Sequence, residues 1–363
     1  MNNFPSLLEG VLVNIWGGIG NRLNNRHLRD TRRSLSRIRA VYRFKGEHGT
    51  IQPSKLSYRT KSSRAGYLAA FGERHAYLSY LQLRSVRSKK PDAVPQPRGR
   101  RNELVITSLG AGACIELFGI CLFFIDNSKQ PLNLMLNAVE KEREWGPNRN
   151  YVFARVLKET FPKLDIGLTD INVDLKKEDA VATLARYYDD LIDTDILLIY
   201  NVVNEIPTTY AKQLWKTVRF LLAIFQRPVL ILLMEPSSAR AEPRIRWLKQ
   251  QFAQETEIIE SSKDGLFVFD TAPTCISMDS SGECLNYRLF GVRIEGARPT
   301  FETTIRRSHV ACLKKPNSPI PIEQVMIQLS NLGMRRGRRG AFLSLRNQIG
   351  PQYTFGNIND QWK

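Results

Sequence analysis

Histidine is scarce in this 363-residue chain, with four copies, and cysteine is little commoner, with five. His27, His48, His75 and His309 lie far apart, and no His-Glu-x-x-His occurs. The cysteines at 114, 121, 275, 284 and 312 form no Cys-x-x-Cys pair and stand beside no histidine. A zinc site and a disulfide framework therefore have no support, and the odd thiol count fits reduced cysteines in an intracellular protein. Long hydrophobic runs are missing too. Residues 113–125 are broken by Glu116, and residues 220–234 by Arg227 and Pro228, against the roughly 20 apolar residues that a bilayer span needs. Residues 7–20 contain Glu9 and have no basic residue before them, which argues against a secretory signal. There is no Gly-x-Ser-x-Gly elbow and no phosphate-binding loop ending in Lys-Ser/Thr.

Acid is also short. The chain has 53 Lys+Arg against 35 Asp+Glu, a net charge of +18, in an otherwise ordinary globular composition with 42% hydrophobic residues. Residues 1–103 hold 21 basic and 6 acidic side chains, and residues 334–363 hold 6 and 1. The body between them is close to neutral, at −2. Positive charge gathered at two ends points to an acidic polymer, nucleic acid first, met by basic arms. Arg32, Arg33 and Arg37 in the first arm, and Arg335, Arg336, Arg338 and Arg339 in the second, are the candidate phosphate contacts. Tyr353 and Phe355 are candidate stacking groups. No membrane partner is expected, and the expected compartment is the cytoplasm. The stretch 22–43 also fits an organellar transit peptide, should the source be eukaryotic, and equally well the first helices of a basic domain.

Apolar residues at helical spacing predict helices over 22–45 and 64–86. Residues 84–101, with three prolines and seven basic residues, read as an extended linker. The expected organisation is a basic helical region (1–88), a Pro/Arg-rich linker (89–103), an α/β domain (104–315) and an extension with a basic tail (316–363). Within the third segment, strands are predicted at 104–108, 132–139, 165–170, 196–201 and 229–234. Helices are predicted at 113–125, 151–161, 178–191, 208–225 and 243–254, with late strands at 265–270, 285–294 and 309–314. Such alternation argues for an α/β, Rossmann-like, doubly wound, mostly parallel sheet with helices on both faces. Ligands would then bind at the C-terminal edge of its strands.

The sharpest local signal is the turn after the first strand, Ser108-Leu109-Gly110-Ala111-Gly112-Ala-Cys114-Ile115-Glu116. Glycines there permit a tight turn and close backbone approach to a ligand. Ile115 stands where a dinucleotide fingerprint has its third glycine, which disfavours a nicotinamide-dependent oxidoreductase. The segment resembles motif I of class I S-adenosylmethionine-dependent methyltransferases, acid-x-Gly-x-Gly-x-Gly, with Ser108 in place of the acid and Cys114 in place of the third glycine. The serine version with Glu116 is similar to the ribosomal-RNA branch, including mitochondrial small-ribosomal-subunit methyltransferase-like proteins. The four-cysteine metal motif of some members is absent, and no metal is expected.

What the resemblance implies follows strand by strand over residues 104–315. Ser108, Leu109, Gly110, Ala111, Gly112 and Glu116 would form the S-adenosylmethionine cradle. Glu140 would accept the ribose hydroxyls, and Trp145 would cover adenine. Asp170, Asn172 or Asp174 would bind the adenine amino group, or cap the next helix instead. Asn201, Asn204 and Glu205, after the fourth strand, would make the catalytic rim, or merely end the strand before Pro207. Methyl transfer needs positioning rather than an obligatory nucleophile. The Asn/Asp-Pro-Pro-aromatic motif of amino-group methyltransferases and the Pro-Cys motif of cytosine-C5 enzymes are absent. The expected function is methyl transfer to nucleic acid, RNA first. The alternative is an inactive methyltransferase-like RNA-binding or ribosome-assembly protein.

Overall fold

The computed structural model describes residues 4–16, 25–42, 57–127, 131–203, 205–236, 241–261 and 306–314, with short strand pieces at 267–268, 288–289, 292–293, 335–336 and 342–343. Five strands run parallel: β1 (Glu103–Leu109), β2 (Leu132–Glu140), β3 (Leu164–Asn172), β4 (Ile196–Tyr200) and β5 (Val229–Pro236). Beyond them come β6 (Thr256–Ser261), β7 (Phe267–Val268), the small pair β8 (Arg288–Leu289) and β9 (Val292–Arg293), and β10 (Arg306–Lys314). The sheet order is β3-β2-β1-β4-β5-β10-β6, with β10 antiparallel to both β5 and β6. A separate small pair joins β11 (Arg335–Arg336) and β12 (Phe342–Leu343).

The core strands are short apolar runs rich in Leu, Ile and Val, buried on both faces, as a covered parallel sheet requires. β3, at the sheet edge, keeps few buried positions. Alternation assigns the two faces: Ile196, Leu198 and Tyr200 enter one hydrophobic cluster, Leu197 and Ile199 the other. The second cluster is closed by α7 (Ala180–Ala185), α8 (Tyr188–Leu191), α9 (Ala211–Ile224) and α10 (Ala241–Glu255), through residues such as Leu184, Leu191, Trp215 and Leu248. This is the doubly wound sheet that strand–helix alternation leads one to expect.

The first face carries the N-terminal helices: α1 (Phe4–Trp16), α2 (Asn25–Tyr42) and α3 (Lys61–Lys89). Val11, Leu12, Leu35, Leu68 and Leu78 share one cluster with Leu104, Leu134, Leu198 and Leu232 of the sheet. Next to them lies α4 (Leu117–Asp126), apolar all round because it is enclosed. Where α3 and α4 cross, a Cβ on Gly119 would stand 1.8 Å from the Ala76 carbonyl oxygen, so the backbones meet there. Past α4, the chain from α5 (Gly146–Tyr151) to α6 (Lys158–Thr160) passes through a π-helical stretch, Val152–Leu157.

Several expected boundaries move, each for a local reason. Thr60 accepts the Ser63 N–H at the start of α3, and the helix continues through Arg84–Lys89, where Arg87 and Lys89 suit its C-terminal dipole. The extended stretch therefore starts only after Lys89, and Pro91–Ala93 form a 3-10 turn. Arg98 is tied down: its guanidinium donates to Asp195 Oδ2 at 2.8 Å and to the Asp193 carbonyl at 2.9 Å. Helix α4 starts at Leu117 rather than Ala113 because Cys114 takes φ +56. The helix expected over 178–191 is two pieces, α7 and α8, and β6 is a strand that alternation alone did not suggest.

Candidate active site

The C-terminal ends of β1, β2 and β4 open onto one cavity. Its walls include Gly110, Gly112, Glu140, Trp145, Asp174, Asn201, Val202 and Glu205, together with Tyr58 and Tyr67 from the N-terminal region. This is the edge where doubly wound sheets bind their ligands.

The glycine turn makes the floor. Gly110 and Gly112 have φ +65 and +50, in the left-handed region that favours glycine. A Cβ on Gly110 would stand 2.5 Å from Val202 Cγ2, whereas one on Gly112 would meet nothing closer than 4.0 Å. Cys114 also lies at positive φ, where the motif has its third glycine, so the fold keeps the glycine conformation and strains a cysteine into it. Its thiol is buried, which pushes its pKa well up. Ser108, Leu109 and Ala111 are buried beneath the turn and do not border the cavity.

Glu140 ties the turn to β2. One carboxylate oxygen accepts the Gly112 N–H at 2.9 Å, and the other accepts the Glu142 N–H at 2.9 Å. Burial raises its pKa, opposed by these two hydrogen bonds and by nearby Arg149. A carboxylate has about four acceptor positions, so two stay available to a ligand's hydroxyls. Arg149, itself buried, donates to the Gly112 carbonyl and to Asp170 Oδ1, both at 2.7 Å.

Asp170 thus acts behind the turn, outside the cavity. Asn172 is also absent from its walls: its amide donates to the carbonyls of Glu140 and Lys141 at 3.0 Å. Asp174, two residues further, does border the cavity, and its Oδ1 accepts the Lys176 N–H at 3.1 Å. Trp145 is 1% exposed, so it offers an edge rather than an open face. Tyr58 and Tyr67 pack on it with ring centroids 5.9 and 6.0 Å away, and the Arg64 guanidinium lies 5.8 Å over the ring.

After β4, Asn201 adopts φ +59, a conformation that asparagine tolerates better than most residues. The loop it starts is held from outside the cavity. Buried Glu235 accepts the Val203 N–H at 2.7 Å, and buried Arg244 donates to the carbonyls of Val203 and Ile206 at 2.9 and 2.6 Å. Glu205 reaches the cavity, where its Oε1 accepts the Tyr58 hydroxyl at 3.4 Å. Asn204 lies outside the described residues. Glu116 is not on the wall; its Oε1 sits 3.2 Å from His75 Nδ1.

Sequence reasoning missed the contribution of α3. His75, Ser79 and Gln82 are buried, at the i, i+4, i+7 spacing of one helix face. Asn201 Nδ2 lies 3.3 Å from His75 Nε2, and the Tyr200 hydroxyl donates to Gln82 Oε1 at 2.7 Å. Polar residues at core spacing were the available signal.

The candidate phosphate contacts divide. Arg33 and Arg37 are exposed on α2, whose opposite side buries Leu35 and Ile38. Arg26 and Arg29 are exposed on the same helix, and Asp30 lies 3.9 Å from Arg26 and 4.0 Å from Arg33. Arg335 and Arg336 lie in β11, while the side chain of Arg32 and the whole of Arg338, Arg339, Tyr353 and Phe355 fall outside the described residues. No helix among the described residues is long and apolar enough to cross a membrane.

No family model matches the chain, and no curated protein does either. Comparison with solved structures gives distant likenesses. An O-methyltransferase family protein from Burkholderia thailandensis is 10% identical, with 80% of this chain and 71% of that one covered and a TM-score of 0.38. A glycopeptide N-methyltransferase complexed with sinefungin is 10% identical, covering 64% and 93%, with a TM-score of 0.34. A SAM-dependent methyltransferase from Anabaena variabilis is 9% identical, covering 69% and 95%, with a TM-score of 0.34. Likenesses of this degree decide nothing about chemistry, which rests on the geometry above.

Proposed function

We propose that this chain is an S-adenosylmethionine-dependent methyltransferase acting on nucleic acid, RNA first. One observation carries the reading: two positive-φ glycines, the Glu140 carboxylate, Asp174, Asn201 and Glu205 border a single cavity at the C-terminal edge of a parallel sheet. The residues present suit a nucleoside ligand. Gly112 leaves its backbone open to close approach, and Glu140 keeps acceptor positions for a ribose. When bound, the sulfonium cofactor supplies an electrophilic methyl group for in-line transfer to a nucleophile. The chain's part is to orient and shield. The glycine turn and Glu140 hold the nucleoside, Asp174 offers an acceptor beyond the ribose, and Tyr58 and Tyr67 exclude water from above. The target's phosphates would meet the exposed arginines of α2 and the basic tail.

A second reading, a methyltransferase-like RNA-binding or assembly protein without activity, draws on three features: the strained Cys114, the two backbone donors already on Glu140, and Tyr58 bonded across to Glu205. Calorimetric titration of the folded chain with S-adenosylmethionine separates the two. Saturable one-to-one binding supports the enzyme. Absence of any heat from a chain with a cooperative unfolding transition removes it in favour of the second reading.

A further inference from the structure

At the rear of the cavity, three side chains from three elements stand in line. Glu116 opens α4, His75 comes from the middle of α3, and Asn201 follows β4. His75 is 2% exposed and cannot meet a ligand itself. Its ring is fixed on both sides of the line. Phe71 stacks on it at 5.6 Å with an interplanar angle of 10°, and Tyr67 meets it edge-on at 5.9 Å. Glu116 Oε1 lies 3.2 Å from Nδ1 without the alignment of a hydrogen bond, so it acts on the ring through its charge, and Asn201 Nδ2 lies 3.3 Å from Nε2. Asn201 borders the cavity from a left-handed backbone conformation.

An isolated amide can turn over and present either its N–H₂ or its carbonyl oxygen. A carboxylate beside Nδ1 favours the imidazole tautomer with the proton on that nitrogen, and Nε2 is then an acceptor. Such an acceptor takes the N–H₂ end of Asn201, and the carbonyl oxygen becomes the end directed away from the imidazole. We propose that His75, oriented by Glu116, is a positioning residue that fixes the Asn201 amide so that this cavity prefers a positively charged ligand to its neutral counterpart. This rests on the cofactor reading above and deepens it. A sulfonium is a cation and the thioether left after methyl transfer is not, so the device favours the methyl donor over the spent product.

The test uses the full chain and two commercial ligands, S-adenosylmethionine and S-adenosylhomocysteine, each titrated by calorimetry. His75→Phe keeps an aromatic ring between Phe71 and Tyr67 but removes both nitrogens. It is expected to weaken S-adenosylmethionine on the order of tenfold, the size of one hydrogen bond to a charged group, and to leave S-adenosylhomocysteine within about twofold. His75→Gln, whose terminal amide reaches towards the Nε2 position, is expected to restore part of the preference. Where His75→Phe does not fold, Glu116→Ala, which releases Nδ1 but keeps the imidazole, is expected to give the same selective loss. Equal losses for both ligands would mark a packing role and overturn the proposal, as would no loss for either. A wild-type chain that binds neither ligand overturns the cofactor reading and this proposal together. Binding with an unselective variant overturns the proposal alone.

Discussion

Glu140 has two tasks that pull on its proton in opposite directions. Burial raises its pKa, while the Gly112 and Glu142 N–H groups and Arg149 favour the ionised form, and burial is the larger effect. A carboxyl held above its ordinary value protonates earlier as the pH falls. Once protonated, it gives up part of its acceptor capacity, which the ribose and the glycine turn share. S-adenosylmethionine affinity is therefore expected to fall on acidification with a midpoint above the ordinary glutamate value of 4.5. The same titration in Glu140→Gln should be flat with pH and weak throughout; a midpoint at or below that value would detach Glu140 from the ligand. At this scale much was legible in sequence. Gly110, Gly112 and Glu140 stand where a strand, a turn and a second strand place them, because local backbone chemistry governs all three. Asp170 and Asn172 were not separable from Asp174 by sequence. The choice depends on how far β3 extends, and it runs to Asn172, which leaves Asp174 in the loop beyond it.

Among the elements, the crossing of α3 and α4 decides most. Gly119 is the contact point, and what faces it is the Ala76 backbone rather than a flexible side chain. Gly119→Val is expected to cost about 3 kcal/mol through forced separation of the helices. Denaturant unfolding measures it, and a change below about 0.5 kcal/mol, typical of surface substitutions, would show that the crossing is looser than this geometry. Ala76 adjoins His75, so a variant that stays folded also shifts the imidazole behind Asn201. From β1 to α10, element types were readable from periodicity and apolar runs, whereas β6 was not. Their ends were not, since caps and positive-φ residues such as Cys114 set them. The continuation of α3 through Lys89 follows from a basic last turn that also reads as the start of a charged linker.

For the whole molecule, charge and packing answer different questions. The helices that carry the N-terminal positive charge are built into the sheet's own hydrophobic cluster, with arginines of α2 left on the outside. If they bind phosphates, Arg29, Arg33 and Arg37 changed together to Gln should lower the slope of log affinity against log salt for single-stranded RNA by about 2. Filter binding at several salt concentrations reads this directly. An unchanged slope would move the contact away from α2. Fold stability should scarcely respond, because all three side chains are exposed.

The sequence by itself determined the alternation of strands and helices from β1 to α10, the glycine turn, the neutral body and the basic ends, because each depends on neighbours along the chain. Only the tertiary structure decided which side chains share a cavity. His75 and Tyr58 reach that cavity region from segments that precede β1, and Glu235 and Arg244 brace its loop from β5 and α10. Such pairings depend on the angle at which α3 crosses α4 and on which sheet face each helix covers. Packing of the two hydrophobic clusters sets both, and no spacing along the chain encodes them.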